Sequence, residues 1–226
     1  MPAEPILPDG MERKEEGLAY LEECCRQDVQ IEECVLKGVS VSGADFYKLS
    51  LKSVLLENCT FLNCNFEKSS FVDVKLRSCD FSNSSLADSY FNRCGFQSVK
   101  GVGADFHESL FRDVQMEDCA FSFANLSGSR METVCMVRCD LQDGYLEECV
   151  LKKAVFRGVK LGRANLFHTS LRGMDRRGDR FGGKGGTERR GDGSVSGSFP
   201  GQAFGNYHKG RVIRFEAVWM CKRAVL

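Results

Sequence analysis

Phe61-Leu62-Asn63-Cys64-Asn65-Phe66-Glu67-Lys68-Ser69-Ser70-Phe71-Val72-Asp73-Val74-Lys75-Leu76 carries a large apolar residue at every fifth position, with a small one two residues before it. The register runs from Val29 to Gly173 without a slip. Between Ile31 and Leu171 it has 29 positions; 28 are large or medium apolar residues, and the exception is Gly101. The companion series stays almost wholly small, through Cys34, Val39, Ala44, Leu49, Val54, Cys59, Cys64, Ser69, Ala104, Ser109, Cys119, Ala124 and Cys139.

A period of five fits neither regular element. A helix would smear it around 3.6 residues per turn, and a strand alternates by two. A fixed short period held over 145 residues is the mark of a solenoid. The chain must turn a corner every five residues and point one large and one small side chain inward on each side. Four sides would close a square of 20 residues, giving about seven coils and a rod about 34 Å long at roughly 4.8 Å per rung. The spacing alone does not prove closure into four.

The units Ala44-Asp45-Phe46-Tyr47-Lys48, Ala104-Asp105-Phe106-His107-Glu108, Ala124-Asn125-Leu126-Ser127-Gly128 and Ala164-Asn165-Leu166-Phe167-His168 resemble the A-(D/N)-(L/F)-x-x unit of pentapeptide-repeat proteins. That resemblance covers about two thirds of the chain. It implies an all-β fold, a right-handed quadrilateral parallel β-helix. The domain reading is an N-terminal arm and cap over 1–28, the β-helix over 29–173, and a Gly/Arg-rich tail over 174–226 whose composition reads as disordered.

Charge is balanced, 31 basic against 31 acidic residues, yet residues 1–28 sum to −5, 29–173 to −1 and 174–226 to +6. The N-terminus lacks a basic start and an apolar run, and no stretch approaches the roughly 18 apolar residues of a membrane span. The expectation is a soluble, cytoplasmic protein with no membrane partner. Twelve cysteines would suggest disulfides in a short secreted chain. Nine of them, however, fall on the small inward series, where a free thiol serves as a small hydrophobe. Neither disulfides nor a metal site are expected.

Residues 1–10 carry three of the four prolines and read as a loose arm. Residues 11–25 read either as a short helix closing the first coil or as a first repeat carrying Leu21; the sequence does not choose. Gly101 removes one large side chain between Phe81 and Phe121, and reads as a tolerated packing defect rather than a bulge or ligand approach. After Met174 the register collapses. Gly178-Asp179-Arg180-Phe181-Gly182-Gly183-Lys184-Gly185 nearly matches a phosphate-binding loop, but Gly185 replaces the required hydroxyl. Arg177-Gly178-Asp179 and Arg190-Gly191-Asp192 read as chance in a Gly/Arg-rich segment.

Catalysis has little to work with. His107 and His168 would project from one side about three coils, roughly 14 Å, apart, beyond reach of any nucleophile–base pair. A filled rod offers no pocket. The chain is read as non-enzymatic, with no catalytic residue, cofactor or metal. Function must lie on the outer surface, and there the charge is uneven. The side bearing Phe46, Phe66, Leu86, Phe106, Leu126, Leu146 and Leu166 carries Asp45, Glu67, Asp88, Asp105, Glu108, Glu147 and Glu148 against only Lys48 and Lys68. This strip is the candidate partner-binding surface. The chain is similar to quinolone-resistance-type pentapeptide proteins, and that similarity implies a DNA-mimicking rod that docks on a type II topoisomerase, DNA gyrase or topoisomerase IV. On that reading the repeats bind protein, not nucleic acid. The alternative is a generic scaffolding surface unrelated to DNA topology, and a third reading assigns anionic-surface binding to the +6 tail. Such relatives often end in a short helical dimerisation segment, which residues 174–226 do not match, so a dimer has no support in the sequence.

Overall fold

The computed structural model describes residues 1–170, 179–181 and 219–221. Every side of the repeat pairs in parallel with the residue 20 positions on, so the quadrilateral closure that spacing left open is a matter of register. On the first side Ile31 pairs with Leu51, Leu51 with Phe71, Phe71 with Phe91 and Phe91 with Phe111. On the second, Leu36 pairs with Leu56, Leu56 with Leu76, Leu76 with Phe96 and Phe96 with Met116. The third side begins with Val41 paired to Phe61 and continues as bridges from Thr60 through Asp80, Lys100, Ala120 and Asp140 to Lys160. The fourth is a column of bridges from Asp45 through Asn65, Ser85, Asp105, Asn125 and Tyr145 to Asn165. The result is an all-β solenoid of about seven coils.

The sides differ in how they bend. The first two are built of short strands such as Ser70–Val72 and Lys75–Arg77. The fourth side, and the third from Phe81 onward, close tight turns instead: the Ser69 N–H donates to the Phe66 carbonyl at 3.2 Å, and that of Ser84 to Phe81 at 3.1 Å. Each side ends in a corner with the same backbone solution. All 29 corner residues, every fifth position from Asp28 to His168, have positive φ; 24 of them are not glycine. Asn and Asp tolerate that region better than other L-residues, which explains why they and Gly recur there. The conformation aims the corner N–H along the rod onto a carbonyl 19 residues on, as from Lys68 to Ala87 and from Asp88 to His107, both at 2.9 Å. A corner donor paired in this way is not lost to the bend.

Inside, the large side chains stack. Phe71, Phe91 and Phe111 follow one another with ring centroids 4.8 Å apart, matching the rung spacing. Phe46 and Phe66 stack at 5.0 Å, while Phe61 meets Phe66 edge-on at 5.3 Å. The small series does a second job that burial alone would not require. Its hydroxyls and thiols donate to the carbonyl 23 residues earlier: Ser84 to Phe61 at 2.8 Å, Ser109 to Leu86 at 2.8 Å, Cys94 to Phe71 at 3.2 Å. Burial pushes the Cys94 thiol up to about 12 and Cys149 up to about 11, so both stay protonated donors. The cysteines described are free thiols.

The N-terminal cap is a helix, α1 (Gly17–Arg26). Leu21 and Cys24 point into the first coil, and Leu18 and Tyr20 pack against the core. A Cβ on Gly17 would lie 2.7 Å from Val39 Cγ2, so the missing side chain lets the helix settle on the coil. It covers an end that would otherwise expose apolar rungs. Upstream, the strand Glu12–Arg13 pairs with Cys34–Val35. The arm expected to be loose lies along the corner between the first two sides. Pro5 sits over Gly95, and the Ile6 N–H donates to Asp73 Oδ1 at 3.0 Å. Asp73 is 4% exposed and also takes Arg93 in a two-point pair at 2.7 and 2.5 Å; a carboxylate so buried needs that many donors.

At Gly101 there is no room even for a Cβ, which would lie 2.8 Å from the Phe121 ring. The ring of Phe121, from the coil above, has moved into the space. The expectations for 174–226 lie mostly outside the described residues, including the Gly182–Gly185 and Arg190–Asp192 segments. Within that stretch Asp179–Phe181 and Trp219–Cys221 pair antiparallel. Among the described residues, no helix is long and apolar enough to cross a membrane.

Candidate partner-binding face

Three sides of the rod neutralise their charges between rungs. Lys37 pairs with Glu57 at 2.6 Å, Arg112 with Glu132 at 3.4 Å and Lys160 with Asp140 at 3.8 Å. Arg138 grips Glu117 at 2.5 Å and Asp118 at 2.6 Å. Its guanidinium holds the Asp118 carboxyl below the usual carboxylate range, as Lys37 does for Glu57. All these partners stand about one coil apart, because parallel stacking in a 20-residue register brings them together.

The fourth side is different. Its cations, Lys48 and Lys68, lie at one end, over the ring of Tyr47 at 5.2 and 5.9 Å. From Ser85 to His168 this side contains no Lys or Arg at all, but holds Asp88, Asp105, Glu108, Glu147 and Glu148. The nitrogen-bearing side chains beside its carboxylates there are histidines: His107 Nε2 lies 3.6 Å from Glu108 and His168 Nδ1 3.8 Å from Glu148. The two imidazoles thus stand beside carboxylates on one face, each with its own partner.

The seven carboxylates of the strip are not equivalent. Asp45 and Asp105 are bound into the turn: each accepts the N–H two residues on, Tyr47 at 3.1 Å and His107 at 3.0 Å. Each also accepts the side-chain amide one coil above, from Asn65 at 2.9 Å and Asn125 at 3.0 Å. This is why the repeat unit carries Asp or Asn at that position: its oxygen closes an Asx turn. Glu67 accepts from the Ser85 hydroxyl at 2.9 Å, and Glu147 from the Asn165 amide. Glu108, Glu148 and Asp88 are exposed, and the Asp88 carboxylate has no hydrogen-bond or ion partner among the described residues. The charge therefore stays, but only part of it is free to be rearranged by a partner.

Sequence reading missed the aromatic component. Phe123, 58% exposed, projects from the corner between the third and fourth sides, and Tyr145, 51% exposed, from the fourth. Phe167 stacks on His168 with centroids 3.8 Å apart. The available signal was the corner series: Phe123 is its one large apolar member.

Comparison with known proteins places these features in context. A family model described as a pentapeptide repeat region matches residues 69–144, and one described as pentapeptide repeats, eight copies, matches 50–86 and 135–173. No curated protein matches the chain in sequence. Among solved structures, full-length QnrB1, a plasmid-mediated fluoroquinolone resistance protein, is similar at 19% identity and a TM-score of 0.29, over 76% of this chain and 86% of that one. Rfr23, a pentapeptide repeat protein from the cyanobacterium Cyanothece 51142, is similar at 16% identity and a TM-score of 0.41, over 62% of this chain and 95% of that one.

Proposed function

The chain belongs to the pentapeptide-repeat family, and from that premise we propose that it is a non-enzymatic interaction rod whose fourth side docks on a basic protein surface, the DNA-binding groove of a type II topoisomerase such as DNA gyrase. Binding there modulates sensitivity to quinolones. The observation that carries this reading is the segregation of charge. Carboxylates on the other sides have cations one rung away, whereas those from Asp88 to Glu148 have no Lys or Arg on their side. A strip of uncompensated negative charge along a straight edge attracts a surface built for phosphates.

One quantity favours the broader alternative, a scaffold for a basic partner unrelated to DNA topology. Duplex DNA carries a charge every 1.7 Å or so, hence nearly three per rung of about 4.8 Å. The strip offers roughly one carboxylate per rung, so it copies the sign of DNA better than its density.

A supercoiling assay with purified DNA gyrase, with and without quinolone, separates the two. Inhibition of supercoiling, or protection from quinolone, at micromolar protein is the expected result. No effect at that concentration retires the topoisomerase and leaves the scaffold.

A further inference from the structure

Phe123 is an anomaly of the corner series. Its φ is 61°, a region that sterics disfavour for a bulky side chain, and at 58% exposure its ring is not recovered as core. The corner conformation itself serves the fold, since the Phe123 N–H donates to the Gln142 carbonyl at 2.9 Å. A bulky apolar ring left exposed where Asn or Gly would fit with less strain nevertheless points to a role outside the fold. Two more exposed apolar side chains lie beside it by register. Ser122, its chain neighbour, stands one rung above Val102, which is 38% exposed; Tyr145 bridges to Asn125, two residues on from Phe123. Isolated exposed apolar residues are ordinary, but three within two rungs of one edge make a patch.

The surroundings define what the patch takes. Tyr145 precedes Glu147 and Glu148, and Asp105 lies one rung below Asn125. Arg163, on the same edge two coils above Phe123, is engaged with Asp143 at 2.6 Å. We infer that Val102, Phe123 and Tyr145 anchor an arginine of a basic protein partner, its guanidinium lying on the rings while neighbouring cations meet Glu147 and Glu148. Arginine fits better than lysine because a planar, weakly hydrated guanidinium stacks on aromatic faces. A second copy of this chain fits worse, since it would set one acidic side against another. The inference deepens the function proposed above and rests on its basic protein partner, but not on that partner being a topoisomerase.

The test titrates the full chain with octa-arginine and with octa-lysine, peptides of equal charge. The wild type binds the arginine peptide about fivefold more tightly. Phe123→Asn, which suits the left-handed corner and should melt no lower than the wild type, loses that ratio while keeping its affinity for octa-lysine. Equal affinities in the wild type, or an unchanged ratio in Phe123→Asn, overturn the inference and leave the acidic side standing. Failure of both peptides to bind overturns the inference and the acidic side together. A concentration-dependent dimer lost in Phe123→Asn reassigns the patch to self-association. A normal ratio with no effect on gyrase removes only the topoisomerase.

Discussion

The ring of Phe121 occupies the place of the side chain absent at Gly101: a Cβ there would lie 2.8 Å from both Cδ1 and Cε1 of that ring. The two residues are one coil apart and share one volume, so the break in the fivefold series is compensated within the core. Gly101→Ala should cost about 1–3 kcal/mol, as overpacking does. The smaller ring-less variant Gly101→Ala with Phe121→Leu should recover much of it. Thermal melts of the three proteins check this; a single mutant as stable as the wild type would mean the ring can simply step aside.

Ser84 shows how the small series works. Its hydroxyl donates to the Phe61 carbonyl at 2.8 Å and accepts the Cys64 N–H at 2.9 Å. Ser84→Ala leaves two buried backbone groups unpaired and should cost about 1–3 kcal/mol. Ser84→Cys should cost less, because thiols at equivalent places donate to the same kind of carbonyl, as Cys79 does to Leu56. Denaturant unfolding of both variants measures the difference, and equal losses would show that size alone matters there.

Asp105 and Asp88 separate fold from function within the acidic side. Asp105→Lys removes the acceptor for the His107 N–H and the Asn125 amide and should lower stability by about 1–3 kcal/mol. Asp88→Lys, at an exposed corner, should leave the melt within about 0.5 kcal/mol of the wild type while weakening partner binding. Charge reversal at Asp88, Glu108 and Glu148 is therefore the cleaner probe of docking. Equal melts for the Asp105 and Asp88 variants would contradict the structural role given to the turn carboxylates.

The N-terminal arm should be sensitive to acid. Burial pushes the Asp73 carboxyl up, but the Arg93 guanidinium and the Ile6 N–H together outweigh it and hold it below the usual carboxylate range. A lowered folded value means that this contribution is complete above the unfolded value of about 3.9 and is lost as pH falls through the folded one. The Ile6 amide should therefore be protected from hydrogen exchange at about pH 5 and lose protection progressively as the pH is taken below the unfolded value and the carboxyl becomes protonated. Asp73→Asn should lose it throughout that range. Protection that persists in acid would assign the arm's attachment to other contacts.

The period of five was fully legible along the chain, because hydrocarbon must face inward wherever the backbone makes equal sides, and that requirement repeats in the residue types themselves. It fixed the core, from Ile31 through Phe91 to Leu166, and placed nine of the twelve cysteines inside it. The acidic side was legible too, once 20 residues were taken as one coil. What the sequence left open depended on atoms that meet across coils or at the cap. Only the packed structure put Leu21 on a capping helix, filled Gly101 with Phe121 and bound Asp73 to Ile6. It also divided the strip, tying Asp45 and Asp105 into turns and leaving Asp88 exposed. A repeat writes its period into one chain segment at a time, whereas hydrogen-bond partners 20 and 23 residues away become neighbours only after the coils have stacked.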